Sequence, residues 1–377
     1  MTRKITYISG TRADFGLMQE CLTAVSDSAD LELDIIVTGM HLDHTYGLTA
    51  LEIESAELTI RDRVIVDMGK STGAGMALGI GKMIEGFTHS LEHDSPDLLL
   101  LLGDRGEMLA GAIAAIHLNI PIVHIHGGER SGTVDEPIRH AISKLAHFHM
   151  VATENSRKRL IRMGERHEHI FVVGAPGLSN LDKIELVPRG SLLTEAGFDP
   201  TKKVALFLYH PVLTEADNAG NDAVMMLDSM SAAGFQVVAL HPNADAGNHL
   251  IKIALSLYSE RTEFRILNHL SRQLFLSWMA AADVMVGNSS AGIIEAASFG
   301  THVINVGTRQ SLRERSANVI DVDIDVVQFE HRLAAVKAGN RLDARNVYGD
   351  GRSTIRILDL LRSLPLTQNI LMKFNAY

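Results

Sequence analysis

The sequence predicts an α/β protein built from two doubly wound domains, each around a parallel sheet. Short apolar runs alternate with longer amphipathic ones along nearly the whole chain, and the alternation breaks once, in the polar stretch "LDKIELVPRGSLLTEAGFDPTKK", before it restarts. Parallel strands covered on both faces read as continuous apolar runs, and strand alternating with helix implies right-handed crossovers. The 377 residues also exceed the roughly 250 to 300 over which a single core grows. The domains join near residues 186–200.

Taken in order, the strands of the first half are "KITYIS", "LELDIIVTG", "PDLLLLLGD", "IPIVHIHGG", "FHMVAT" and "HIFVVGAP", with helical segments such as "GLMQECLTAVSDS", "GAGMALGIGKMIEGFTHSLEH" and "SRKRLIRMGE" between them. The second half repeats the device with "KVALFLYHP", "FQVVALHPN", "FRILNH", "ADVMVGNSS" and "THVINVG". Cys21, the only cysteine, lies among Leu17, Met18, Leu22 and Val25, which predicts helix packing and excludes an intramolecular disulfide.

The formal net charge of −10 leaves no electrostatic footprint for nucleic acid or an anionic membrane, so a small-molecule ligand is expected. No stretch approaches the ~20 uninterrupted apolar residues of a membrane span, and the N-terminus enters a strand without a long apolar signal core. The expected location is cytoplasmic.

Open α/β sheets bind ligands beyond the carboxyl ends of their strands, and those ends are polar here. In "SGTRADFG", a glycine turn feeding a helix offers backbone N–H groups to a phosphate, with Arg12 adding a fork of donors; a plain strand-to-helix turn reads the same way. Asp104 follows five leucines and Gly103, as a general base at an apolar strand mouth or as a helix cap. His124 and His126, two apart on a strand, share a face, but no metal-binding spacing follows them. "DEPIRHAISKLAH" reads as a helix with Asp135 as its N-cap, and Asp135 and Arg139 stand at a spacing suited to an ion pair. In the second half, His210 and Asn243 follow strand ends. The small-residue turn from Gly287 to Gly292, with Ser289 and Ser290, makes a diphosphate cradle; Glu295, one turn on, is positioned for ribose hydroxyls, and Arg309 and Arg313 point toward the same crevice.

Taken together, "GTRADFG", "TGMH", "GDR", "HGGE" with "DEPIRHAISKLAH", "HP", "GNSSAGI" and "NVGTRQ" make the chain resemble, nearly end to end, the hydrolysing UDP-N-acetylglucosamine 2-epimerases of the sialic-acid pathway (the NeuC type). The resemblance implies a glycosyltransferase-B fold: two Rossmann-like domains with a central cleft, at 1–188 and 189–352, and a C-terminal helix and tail at 353–377 returning to the first. It implies conversion of UDP-N-acetylglucosamine and water to N-acetylmannosamine and UDP, by elimination to 2-acetamidoglucal and addition of water, without cofactor or metal. A homodimer or homotetramer is expected.

Carried over from the family, Asp104, Asp135, Arg139 and His210 match catalytic positions, while Arg12, Arg105, Asn243, Ser289, Ser290, Glu295 and Arg309 match nucleotide contacts. The departure is at residue 126, where many members carry a catalytic glutamate and this chain has histidine. Either His126 or Glu129 takes over that proton transfer. His126 is the expected one, on strand alternation and an unperturbed imidazole pKa of about 6.5. Other readings are the same chemistry on UDP-N,N′-diacetylbacillosamine, a glycosyltransferase on this fold, and a UDP-sugar sensor. The paired carboxylates Asp104 and Asp135 favour elimination over simple transfer.

Overall fold

The computed structural model describes residues 2–44, 47–66, 72–131, 135–243, 247–343 and 345–377. One sheet holds β1 (Arg3–Ser9), β2 (Leu31–Thr38), β3 (Ile60–Val64), β4 (Leu98–Leu102), β5 (Ile122–Ile125), β6 (Phe148–Val151) and β7 (Ile170–Val172). A second holds β8 (Val204–Leu208), β9 (Gln236–Leu240), β10 (Phe264–Leu267), β11 (Val284–Gly287), β12 (His302–Val306) and β13 (Val319–Val322). The orders are β3-β2-β1-β4-β5-β6-β7 and β10-β9-β8-β11-β12-β13, with parallel pairing throughout. Winding therefore reverses between β1 and β4 and between β8 and β11, the two places where such sheets open a ligand crevice.

Strand alternation explains the core. In β4, Leu98, Leu100 and Leu102 join one apolar cluster with Tyr7, Phe15 and Met18, while Leu99 and Leu101 join the opposite one with Ile8, Met83 and Phe87. Two further clusters flank the second sheet, around Phe207, Met226 and Phe264 and around Leu206, Trp278 and Met285. Cys21 is buried in the first cluster, as its neighbours predict.

The stretch between the sheets is more than a linker: it carries the helix Arg189–Ala196, whose Leu192 and Leu193 pack under the second sheet. Beyond that sheet the chain returns. The helix Ser353–Ser363 buries Ile357 and Leu361 in the first sheet's cluster, and Arg3 donates to the carbonyls of Leu361 and Leu364. Among the described residues no helix is long and apolar enough to cross a membrane.

Candidate active site

At the first reversal, β1 runs through Gly10 into the helix Arg12–Ser26. The carboxylate of Asp14 accepts from the Gly10 and Thr11 amides at 3.1 and 2.6 Å and from the Ser9 and Thr11 hydroxyls, while Thr11 Oγ1 accepts from the Asp14 amide at 3.2 Å. This is a capping box, so those two N–H groups are not open to a phosphate as the glycine turn suggested. Arg12 supplies what cation the turn has, and its Nε lies 2.6 Å from Glu52. Glu107, buried beneath Gly10, lies 3.3 Å from Arg105 Nε.

The end of β4 sets the most charged part of the cleft. The helix Gly106–His117 has Arg105 at its N-cap, with no side-chain capping bond, so Asp104 is not the cap. Asp104 instead pairs with Arg139 Nη2 and lies 3.7 Å from Arg313 Nη2. Arg139 is 1% exposed, its pKa lowered by burial to about 10, and its other branch donates to the Glu129 carbonyl at 3.1 Å and to Ser131 Oγ at 3.3 Å. The i,i+4 spacing of Asp135 and Arg139 suggested a partnership between them. The buried guanidinium goes to Asp104 and Glu129, while Asp135, in the first turn of its helix, faces Arg309 of the second domain at 3.6 Å.

The two histidines of "HIHGG" do not share a strand face. β5 ends at Ile125, and His126 takes a left-handed backbone (φ +64°), which rotates its side chain out of the alternation. His124 stays in the interior, with Nε2 2.7 Å from the Gly103 carbonyl and Nδ1 3.0 Å from Ser143 Oγ. His126 Nδ1 lies 2.6 Å from Glu129 Oε1, and the other Glu129 oxygen pairs with Arg313 Nη1. Burial, with Arg313 nearby, lowers the His126 pKa to about 3, so the expectation of a value near 6.5 fails: the imidazole is neutral at neutral pH. A neutral ring that donates from Nδ1 to a carboxylate keeps its lone pair on Nε2. Glu129 is reached through Gly128 (φ +72°), where a Cβ would stand 2.6 Å from the Ser156 carbonyl.

At the second reversal, Gly287 (φ +134°) ends β11 so close to β8 that a Cβ would lie 2.1 Å from the Leu208 carbonyl. This proximity lets Asn288 bond both backbone groups of His210, accepting from its amide at 2.7 Å and donating to its carbonyl at 2.8 Å. His210 Nδ1 accepts from the Asn243 amide at 3.2 Å, which puts the proton of the neutral ring on Nε2. Ser289 caps the short helix Ser290–Ile294, and Arg309 Nη1 donates to the Asn288 carbonyl at 3.2 Å. Glu295 is 2% exposed and pairs with Arg272; burial raises its pKa while Arg272 opposes the rise.

The structure thus gathers Asp104, His126, Glu129 and Arg139 around Arg313, and His210, Asn243, Ser289 and Arg309 around Asn288. Arg12 and Glu295 turn instead toward Glu52 and Arg272. Sequence reasoning directed Arg313 to the crevice without its partners and put Asn288 in the cradle turn without its bonds to His210, and it missed Glu107 and Arg272. Glu314, which accepts from Thr153 and, at 3.1 Å, from Asn155 Nδ2, adds a further bridge between the domains.

Two parallel-sheet domains whose reversal points meet across a cleft of carboxylates and guanidinium groups define the glycosyltransferase-B class of architecture. A Methanocaldococcus jannaschii UDP-GlcNAc 2-epimerase, solved in complex with UDP-GlcNAc and UDP, has this fold at a TM-score of 0.80 and 19% identity, over 95% of this chain and 99% of that one. The family model for UDP-N-acetylglucosamine 2-epimerase matches residues 23–362, and the chain belongs to that family. It is similar to the hydrolysing UDP-N,N′-diacetylbacillosamine 2-epimerase of Legionella pneumophila, with 50% identity over the full length of both, and to a UDP-N-acetylglucosamine 2-epimerase of Neisseria meningitidis, with 34% identity over 98% of this chain and 97% of the relative.

Proposed function

We propose that the chain is a hydrolysing 2-epimerase acting on a UDP-2-acetamido sugar. The observation that carries this reading is the cross-cleft group in which Arg313 of the second domain pairs with Glu129 and neighbours Asp104, beside a neutral His126. Asp104 and His126 Nε2 are the two proton-handling groups. As the bond from carbon 1 to the UDP oxygen breaks, the sugar gains oxocarbenium character, the proton on carbon 2 becomes acidic, and one of the two groups removes it to leave the glycal. Water then adds at carbon 1 while a proton returns to carbon 2 from the opposite face, inverting that centre. His210 donates from Nε2 to the departing diphosphate, which Asn243, Ser289, Ser290 and Arg309 also hold, with Arg12 and Arg105 at its edge.

Of two candidate sugars, UDP-N-acetylglucosamine follows from the motif resemblance. UDP-N,N′-diacetylbacillosamine is supported by the relative that is half identical over its whole length, and we take it as the preferred substrate. Incubation of each UDP-sugar in deuterated water, followed by NMR, tests both levels: the expected product is a free 2-acetamido sugar of inverted configuration with deuterium at carbon 2. Transfer of an intact sugar to an acceptor, without deuterium uptake, would point to a transferase instead. Faster turnover of UDP-N-acetylglucosamine would reverse the substrate order.

Ser290→Ala and Arg309→Ala are expected to weaken UDP binding, since hydrogen bonds to charged groups are worth roughly 1.5–3 kcal/mol each. Calorimetry checks this, and unchanged affinity in both variants removes them from the clamp.

A further inference from the structure

A buried charge cluster lies away from the cleft and takes no part in the chemistry above. Glu165, with its side chain 2% exposed, receives Lys144 Nζ at 2.7 Å, Lys373 Nζ at 2.6 Å and His149 Nε2 at 3.0 Å. Burial alone would raise the Glu165 pKa, but these partners hold it at about 2, so the carboxylate stays ionised. Two lysines on one carboxylate leave a surplus positive charge, and that surplus meets the C-terminal end of the helix Asp135–Leu145, where carbonyls lack intrahelical partners and the dipole is negative. Lys373 donates to the Ser143 carbonyl at 3.0 Å and to the Ala146 carbonyl. The rest of the tail follows the same path, with Asn375 Oδ1 accepting from Lys144 at 2.6 Å and the Ala376 amide donating to the Gly164 carbonyl at 2.8 Å.

The helix so gripped carries the cleft residues Asp135 and Arg139 nearer its other end. Ser143, one turn after Arg139, is also where its hydroxyl meets His124, whose far nitrogen meets the Gly103 carbonyl next to Asp104. We propose that Lys373 is a positioning residue: by seizing the end of this helix it keeps the Arg139 guanidinium on Asp104. The C-terminal tail thus positions cleft residues, though it never reaches the cleft. The assignment rests on the proposed role of Asp104.

Lys373→Met, Lys373→Arg and a chain ending at Met372 are compared with the full chain in steady-state UDP release from the UDP-sugar that the wild type turns over. UDP calorimetry and hydrogen exchange of the peptide 135–145 accompany the rates. Lys373→Met and the shortened chain are expected to lose about 10- to 100-fold in kcat, the cost of a displacement near 1 Å, with KM and UDP affinity within about twofold of wild type. Exchange in the helix should accelerate, and Lys373→Arg should recover most of kcat. Unchanged kcat in Lys373→Met overturns the proposal. So does a loss of kcat that parallels a loss of UDP affinity and is not recovered by arginine, because that pattern is general unfolding. A wild-type chain that turns over no UDP-sugar overturns the functional reading instead, and unaltered helix exchange in the variants then overturns the positioning role on its own.

Discussion

Asp104→Asn is expected to lower turnover by about 100- to 10,000-fold, the range that general acid–base groups contribute, while UDP affinity stays within about twofold of wild type. Asparagine retains an oxygen able to accept from Arg139, so the fold of the β4 end is kept while the negative charge and the ability to take a proton are lost. The substitution also leaves a buried guanidinium without its carboxylate partner, and removing one member of a buried pair destabilises. Turnover per folded molecule separates the two effects. If Asp104 served only to neutralise Arg139, the melting temperature would fall with turnover largely kept. If Asp104 carries a proton, turnover per folded molecule collapses, whatever the fall in melting temperature, while the folded molecules still bind UDP.

His126→Gln is expected to cost a similar factor, about 100- to 10,000-fold, because glutamine offers no lone-pair nitrogen in place of Nε2. Glu129→Gln should cost less, since its carbonyl still accepts from Nδ1 while the ion pair with Arg313 is lost. The pH dependence follows from the sign of the shift. The His126 pKa is depressed to about 3, so the ring stays neutral and able to accept a proton through the mildly acidic range, and it is protonated only as pH falls toward that value. Full pH–rate profiles of kcat/KM for wild type, His126→Gln, His126→Glu and Glu129→Gln check this: the wild-type profile should have no His126 limb near pH 6.5. Near-normal turnover in His126→Gln, together with abolished turnover in Glu129→Gln, would make Glu129 the proton carrier. Retained activity with an altered profile in His126→Glu would make carboxylate and imidazole interchangeable there.

Much of the frame was legible because it depends on local pattern. Five consecutive leucines bounded by Pro96 and Gly103 read as a short strand covered on both faces, and a glycine after such a strand, then Asp, Arg or Asn, marks a ligand-facing end whatever the strand order. The family motifs are legible for the same reason, each being a short contiguous run. Partnerships were less legible. Asp14 and the Gly10 and Thr11 amides are near neighbours in sequence, yet the turn read equally as an open phosphate cradle or as a plain strand-to-helix turn, because a capping box and an anion site begin with the same residues. The rule of strand alternation put His124 and His126 on one face. The strand ends one residue too early for that rule to hold, and a left-handed φ then turns His126 toward Glu129.

By itself the sequence determined two parallel α/β units, the strand ends that bear the chemistry, the residue types available there and the family to which they belong. All of these follow from hydrophobic periodicity and short motifs, which depend on residues close together in the chain. Only the tertiary structure decided that Arg139 serves Asp104 rather than Asp135, that Arg313 crosses from the second domain to Glu129, and that the His126 imidazole is neutral. The physical reason is that ion pairing and desolvation depend on distance and burial in space. Glu129 and Arg313, 184 residues apart in the chain, become partners only when two separately wound sheets turn their reversal points toward one cleft.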